Sequence, residues 1–458
     1  MVGWRHAILL ALVLAFAGAQ GAAAAVLVID GAGDGHGVGM SQDGAEGLAL
    51  HGYSARQILT HYYTGTTVER VAPEHSIAIL LQSRLRSVVF SDATAAGTRA
   101  LRADHTYIAT TAPNGQIALE SERGRLLSYL PAPLDITSRV PIRFDGAASS
   151  GVIDGRYRGS LRIELADGRL RVINSLGLEA YLRGVVPAES PSRWRPAELE
   201  AQAIAARSYA IASQPQTGFD LYADTRSQEY GGYDAEAPST SAAVEATVRD
   251  VVTYDGRPIV AYYFASSGGA TEDVQNGFPG AAPEPYLVGV LDPFDAGRFG
   301  PVTISLHTAD RRLRGIVQGT LRSIVVTRRG VSPRIVSAQV VGSAGTTSVS
   351  GATLASALGL QSTWDCFSVS TSSATLASGW DRACERPRRL GSGSSSGPAG
   401  RTGPTGRTGS TGPTGSTVGG TVAGTGATGS TKASGTSGSG AGAGSSVSNA
   451  GGAVGPRP

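Results

Sequence analysis

The residue best suited to chemistry is Glu189, in the segment VVPAESPSRW at 185–194. A glutamate set between Pro187 and Pro191 is expected outside a regular helix. Each proline lacks the amide hydrogen a helix needs and restricts the residue before it. The spacing therefore predicts a constrained turn that feeds an alanine-rich helix over 197–213, with Pro196 in its first turn. Val185, Val186 and Trp194 would flank the carboxyl with apolar groups. Partial burial raises a carboxyl pKa, as a general acid at neutral pH requires. Taken alone, the segment also fits an ordinary exposed loop glutamate.

Two further groups of residues carry polar heads on permissive backbone. In GAGDGHGVGMSQ at 31–42, alternating glycines allow close backbone approach around His36, Ser41 and Gln42. The spacing superficially resembles a phosphate-cradling loop, but no lysine–serine pair follows it. A glycine-rich surface loop is the other reading. QEYGGY at 228–233 and SSGG at 266–269 offer Gln228, Tyr230, Ser266 and Ser267. Hydroxyls, amides and tyrosine faces suit a carbohydrate site, and they equally suit a well-made turn.

The elements that would position these residues differ along the chain. Ser54 with Gln57 three residues on is a capping box, so a short helix is expected there, with Ile58, Leu59, Tyr62 and Tyr63 on its apolar face and Gly65 ending it. Residues 71–180 read as β-rich, with Asp167-Gly168 a hairpin turn. Thr240 or Ser241 would cap a helix running through Arg249. Val251–Tyr254 and Ile259–Phe264 would pair across Asp255-Gly256. Short strands and turns follow, with a brief helix at Thr353–Leu358.

The two ends of the chain have a different composition. Residues 1–25 read as a secretory signal: Arg5 precedes an apolar run from Ala7 to Ala17, and Ala22–Ala25 offer small residues for cleavage. From 391 to 458 there is no Leu, Ile, Phe, Tyr or Trp, and glycine recurs every third residue from Gly397 to Thr417. Such a segment buries too little apolar surface to offset its ordering entropy, so a disordered spacer is expected rather than a collagen-like trimer. The chain's net charge is +3, yet the tail's Arg401, Arg407, Lys432 and Arg457 and the leader's Arg5 account for more than that. The body between is slightly acidic, which argues against nucleic acid as a partner. The two cysteines, Cys366 and Cys384, are expected to form a disulfide in an exported protein.

Four blocks together resemble the stage II sporulation protein D (SpoIID/LytB) family of bacterial cell-wall proteins. They are HGVGMSQDGAEGLALHGYSARQILTHYYTGT at 36–66, LEAYLRGVVPAESPSRWRPAELEAQAIAARSYA at 178–210, QEYGGYDAEAPSTSAAVEAT at 228–247 running on into VVTYDGRPIVAYYFASSGGATED at 251–273, and VSGATLASALGLQSTW at 349–364. The resemblance implies an exported, extracytoplasmic lytic transglycosylase acting on peptidoglycan glycan strands. Its catalytic glutamate would be Glu189. Its glycan-lining residues would be His36, Met40, Ser41, Gln42, Arg207, Tyr209, Gln228, Tyr230, Ser266 and Ser267. Some members are described as enhancers of a cell-wall amidase, so an amidase is an implied partner and a non-catalytic wall-binding role the alternative. Three features depart from the family pattern. The HGVGMSQ block opens the body instead of closing it. Ser190 replaces a methionine. Residues 219–231 contain no Cys or His for the zinc cluster of some relatives, so no metal or other cofactor is expected.

The combined expectation is an α+β, two-lobed body of mostly antiparallel sheet with a few short helices. A signal peptide occupies 1–25. An N-terminal segment, 26–70, would complete the catalytic domain at 156–390. A β-rich insert would occupy 71–155, and a Gly/Ser/Thr-rich tail 391–458.

Overall fold

Both ends of the body meet in one three-stranded antiparallel sheet. Val26–Ala32 is its central strand, hydrogen-bonded to Arg298–Ser305 on one side and Trp364–Ser370 on the other. The computed structural model describes residues 25–71, 75–295 and 297–370. The expected signal peptide, the tail and Cys384, the proposed disulfide partner of Cys366, lie outside the described residues. No helix among the described residues is long and apolar enough to cross a membrane.

The architecture is α+β with mostly antiparallel sheet, as the sequence predicts. A seven-stranded sheet has Ser76–Leu85, Arg169–Gly177 and Ser160–Ala166 as neighbouring strands. It draws strands from both 71–155 and 156–390. The Asp167-Gly168 turn holds both residues at positive φ, 51° and 69°, which matches the twist of the two strands it joins. A six-stranded sheet built from residues 87–157 shares one apolar cluster with it, through Val88, Phe90, Ile163 and Val172.

Five helices matter for the site: α1 (Gln42–Leu50), α2 (Ala55–Tyr62), α3 (Leu178–Glu189), α4 (Pro196–Ala212) and α5 (Pro238–Ala246). The capping box at Ser54 and Gln57 forms as expected. Helix α4 is buried on nearly every side. Its small residues Ala201, Ala203, Ala205 and Ala206 let α1, α2, α3 and α5 all approach it.

Several local expectations are corrected. Glu189 is not on a free turn; it is the last residue of α3, with Pro187 inside the final turn. Pro187 removes one amide, and the Ser190 N–H closes the end by donating to the Val186 carbonyl. Helix α5 begins at Pro238, with Ala237 rather than Thr240 or Ser241 as its cap, and ends before Arg249. Across Asp255-Gly256 the returning strand is only Arg257–Pro258. Tyr263–Phe264 pairs instead, in parallel, with Met40–Ser41. Helix α1 was not foreseen in the glycine-rich opening. Ser41 caps it, its hydroxyl accepting from the Gly44 N–H at 3.2 Å. The helix at Thr353–Leu358 starts two residues earlier, at Gly351, with Ser350 as its cap.

Candidate active site

Glu189 leaves the end of α3 half-buried, and three donors converge on its carboxylate. The Glu229 N–H donates to Oε1 at 2.8 Å. The Tyr263 hydroxyl donates to the same oxygen at 3.3 Å. The Gln42 side-chain amide donates to Oε2 at 3.3 Å. Burial pushes this carboxyl above its ordinary range, and the three hydrogen bonds, which favour the charged form, pull the other way.

Each of these partners is itself fixed. Tyr263 receives a hydrogen bond at 2.8 Å from the amide of Gln228, whose carbonyl oxygen accepts from the Tyr181 hydroxyl at 3.2 Å. That bond leaves the Tyr263 proton free to point at Glu189. Gln42 stands at the first position of α1, and its amide nitrogen is also 3.5 Å from Gln202 Oε1 on α4. The loop before Gln42 comes in close because Gly39, at φ +79°, presses its Cα against the Tyr262 carbonyl where a side chain would not fit.

Behind the site, Ser190 donates to Glu198 Oε1 at 2.8 Å. Glu198 is fully buried, and burial pushes its carboxyl up to about 8, with Glu46 and Asp43 of α1 adding repulsion. Burial thus favours its protonated, neutral form at neutral pH.

Several other residues predicted to line the glycan are instead consumed by the interior. Arg207 is buried and binds both oxygens of Glu179, at 2.9 and 2.7 Å, and the Asp250 carbonyl at 3.0 Å. It holds α3 to α4. Tyr230 is buried, its hydroxyl donating to Asn174 Oδ1 at 2.9 Å. Ser41 and Ser266 donate to Asp295, and Ser267 donates to Asp292, each at 2.8 Å. Buried carboxylates require such donors, so these three buried hydroxyls serve two carboxylates inside the fold. Met40 is fully buried in the parallel pair with Tyr263. His36 packs against Phe278, Phe264 and Tyr262, and its Nδ1 accepts from the Val38 N–H at 3.1 Å. Burial, with the nearby Arg334 charge, pushes it down to about 3, so it is a neutral structural ring. Tyr209 is buried edge-on to the Tyr262 ring at 5.9 Å.

Of the predicted set, Gln42 reaches Glu189 directly and Gln228 reaches it through Tyr263. The sequence reading missed Tyr263, Glu229, Gln202 and Glu198. Glu229 lies inside the QEYGGY block, between Gln228 and Tyr230.

The family model described as "Stage II sporulation protein" matches residues 166–254, which carry Glu189 and its loop partner Glu229. An uncharacterized protein of Brachyspira hyodysenteriae is 34% identical over 166 residues, covering 35% of this chain and 44% of that one. The amidase enhancer of Bacillus subtilis is 36% identical over 131 residues, 29% of this chain and 18% of the enhancer. The stage II sporulation protein D of Bacillus amyloliquefaciens is 33% identical over 142 residues, 27% of this chain and 40% of that protein. The chain thus spans less than half the length of each of these relatives. The matched segment, residues 166–254, holds Glu189, and through it the chain is similar to the stage II sporulation protein D family.

Proposed function

We propose that this protein is an exported peptidoglycan lytic transglycosylase, cleaving the bond between N-acetylmuramic acid and N-acetylglucosamine, with Glu189 as its catalytic residue. One observation carries the reading. Glu189 is half-buried, raised in pKa, and gripped by donors from three distant parts of the chain, at Gln42, Glu229 and Tyr263. A group held that firmly and still partly open to solvent suits proton transfer.

In the simplest course, Glu189 moves a proton between two substrate oxygens. It protonates the glycosidic oxygen as the C1–O bond breaks. Its carboxylate then takes the proton of the muramyl C6 hydroxyl, and that oxygen bonds to C1, giving a 1,6-anhydro sugar. A conventional glycosidase needs a second carboxylate to supply or activate the nucleophile; here the substrate's own hydroxyl serves. The reaction needs no cofactor. Residues 26–70 would complete the catalytic domain by supplying Gln42.

Purified glycan strands incubated with the protein should yield anhydro ends by mass spectrometry. Glu189→Gln should lower turnover by about 10²–10⁴-fold with the fold kept. Reducing ends would instead indicate hydrolysis by water. A second reading has specific support in the relative named amidase enhancer: the chain binds wall glycan and stimulates an amidase without cleaving. Absence of any cleavage, with stimulation of a cell-wall amidase, would establish that role instead.

A further inference from the structure

Glu229 adjoins Glu189, its own N–H donating to Glu189 Oε1 at 2.8 Å. On either side of it, Gln228 and Tyr230 are fully buried, while Glu229 is half-buried and lies next to Asp224, whose charge it feels together with that of Glu189. We propose that Glu229 is the second carboxyl of the reaction, and that it and Glu189 carry one proton between them. The inference rests on the reading of Glu189 as a reacting group, and it divides the double duty given to Glu189 above.

The surroundings assign the proton. Glu189 has three donors that favour its carboxylate. Glu229 has the Thr225 backbone N–H as its donor and faces two negative neighbours, Glu189 and Asp224. The nearby cation Arg226 is committed to Asp224, through bonds of 2.8 and 2.6 Å. Burial first, and then those two acids, push Glu229 up to about 7. Adjacent carboxyls do not both ionise readily, and environments that drive them apart mark the acid and the base. These surroundings favour the proton on Glu229 over Glu189 in the free protein.

The balanced step follows. Glu229 gives its proton to the glycosidic oxygen, which keeps the bonding pair as its bond to C1 breaks. Glu189 takes the C6 hydroxyl proton as that oxygen bonds to C1. One proton has left Glu229 and one has arrived on Glu189, so the pair still holds one and resets by passing it back through water.

The test is steady-state kinetics on glycan strands across pH, with circular dichroism melts to check folding. Wild-type kcat should fall as pH rises through about 7, where Glu229 loses its proton. Glu229→Gln should lower kcat by about 10²–10⁴-fold, leave KM within about threefold, and flatten that fall. A Glu229→Gln protein with wild-type kcat and an unchanged pH profile would overturn the pair, leaving Glu189 to act alone. Full activity in Glu189→Gln would overturn the parent reading instead. Should Glu229→Gln fail to fold, Glu229→Asp decides: lowered kcat with the high-pH fall retained supports the pair, and wild-type kcat refutes it.

Discussion

At the scale of single residues, Tyr263 tunes the acid. Its hydroxyl is 3.3 Å from Glu189 Oε1 and is turned there by Gln228. Tyr263→Phe removes a donor to the charged form, so the Glu189 pKa should rise and the pH profile of kcat should move upward, with turnover reduced by roughly tenfold. Gln42→Ala should act in the same direction. Glu189 and Gln42 were legible in the sequence because proline and glycine spacing marks places where backbone is specially shaped. Tyr263 was not, since an aromatic in a run such as AYYF reads as core until the pairing of its strand is known. The serines at 41, 266 and 267 misled for the converse reason. Nothing in their local sequence shows that Asp292 and Asp295, more than twenty residues away from even the nearest of them, will claim their hydroxyls.

At the scale of elements, the contact between the end of α3 and the start of α4 depends on a buried proton. Glu198 in the first turn of α4 accepts from Ser190, the residue after Glu189. Its folded carboxyl is raised from 4.5 to about 8, so between those values the folded state binds a proton that the unfolded chain releases. Stability should therefore decline as pH rises through that window, and the loss should be complete above it. Glu198→Gln should flatten the decline and make the protein more stable than wild type at alkaline pH; urea midpoints measured against pH check this. The helices themselves were partly readable. The Ser54–Gln57 capping box is a local signal, and it held. Helix α1 escaped notice because Gly44 and Gly47 are poor helix formers. They are there for packing: a side chain on Gly44 would strike Asp292 and Tyr62, and one on Gly47 would lie 2.7 Å from Phe294 Cβ.

At the scale of the whole body, the strand Val26–Ala32 anchors the loop that delivers Gln42 to Glu189. Ile29 on that strand is 1% exposed and packs into a cluster with Leu321, Ile324 and Leu354. Ile29→Ala should cost about 2–5 kcal/mol in thermal or denaturant unfolding, and activity should fall with the folded fraction. The block that holds His36 and Gln42 opens the body, far in sequence from Glu189. The central place of Val26–Ala32 between two C-terminal strands explains how an opening block reaches a site made mostly by later residues.

That strand arrangement also sets a clock. Residues 26–32 are synthesised before the rest of the body but find both their neighbours, 298–305 and 364–370, only when nearly all of it exists. Pairings so distant along the polypeptide form slowly and late. A partly synthesised copy lacks the scaffold that brings the Gln42 amide to Glu189, so the geometry proposed for proton transfer is incomplete until residues 364–370 are in place.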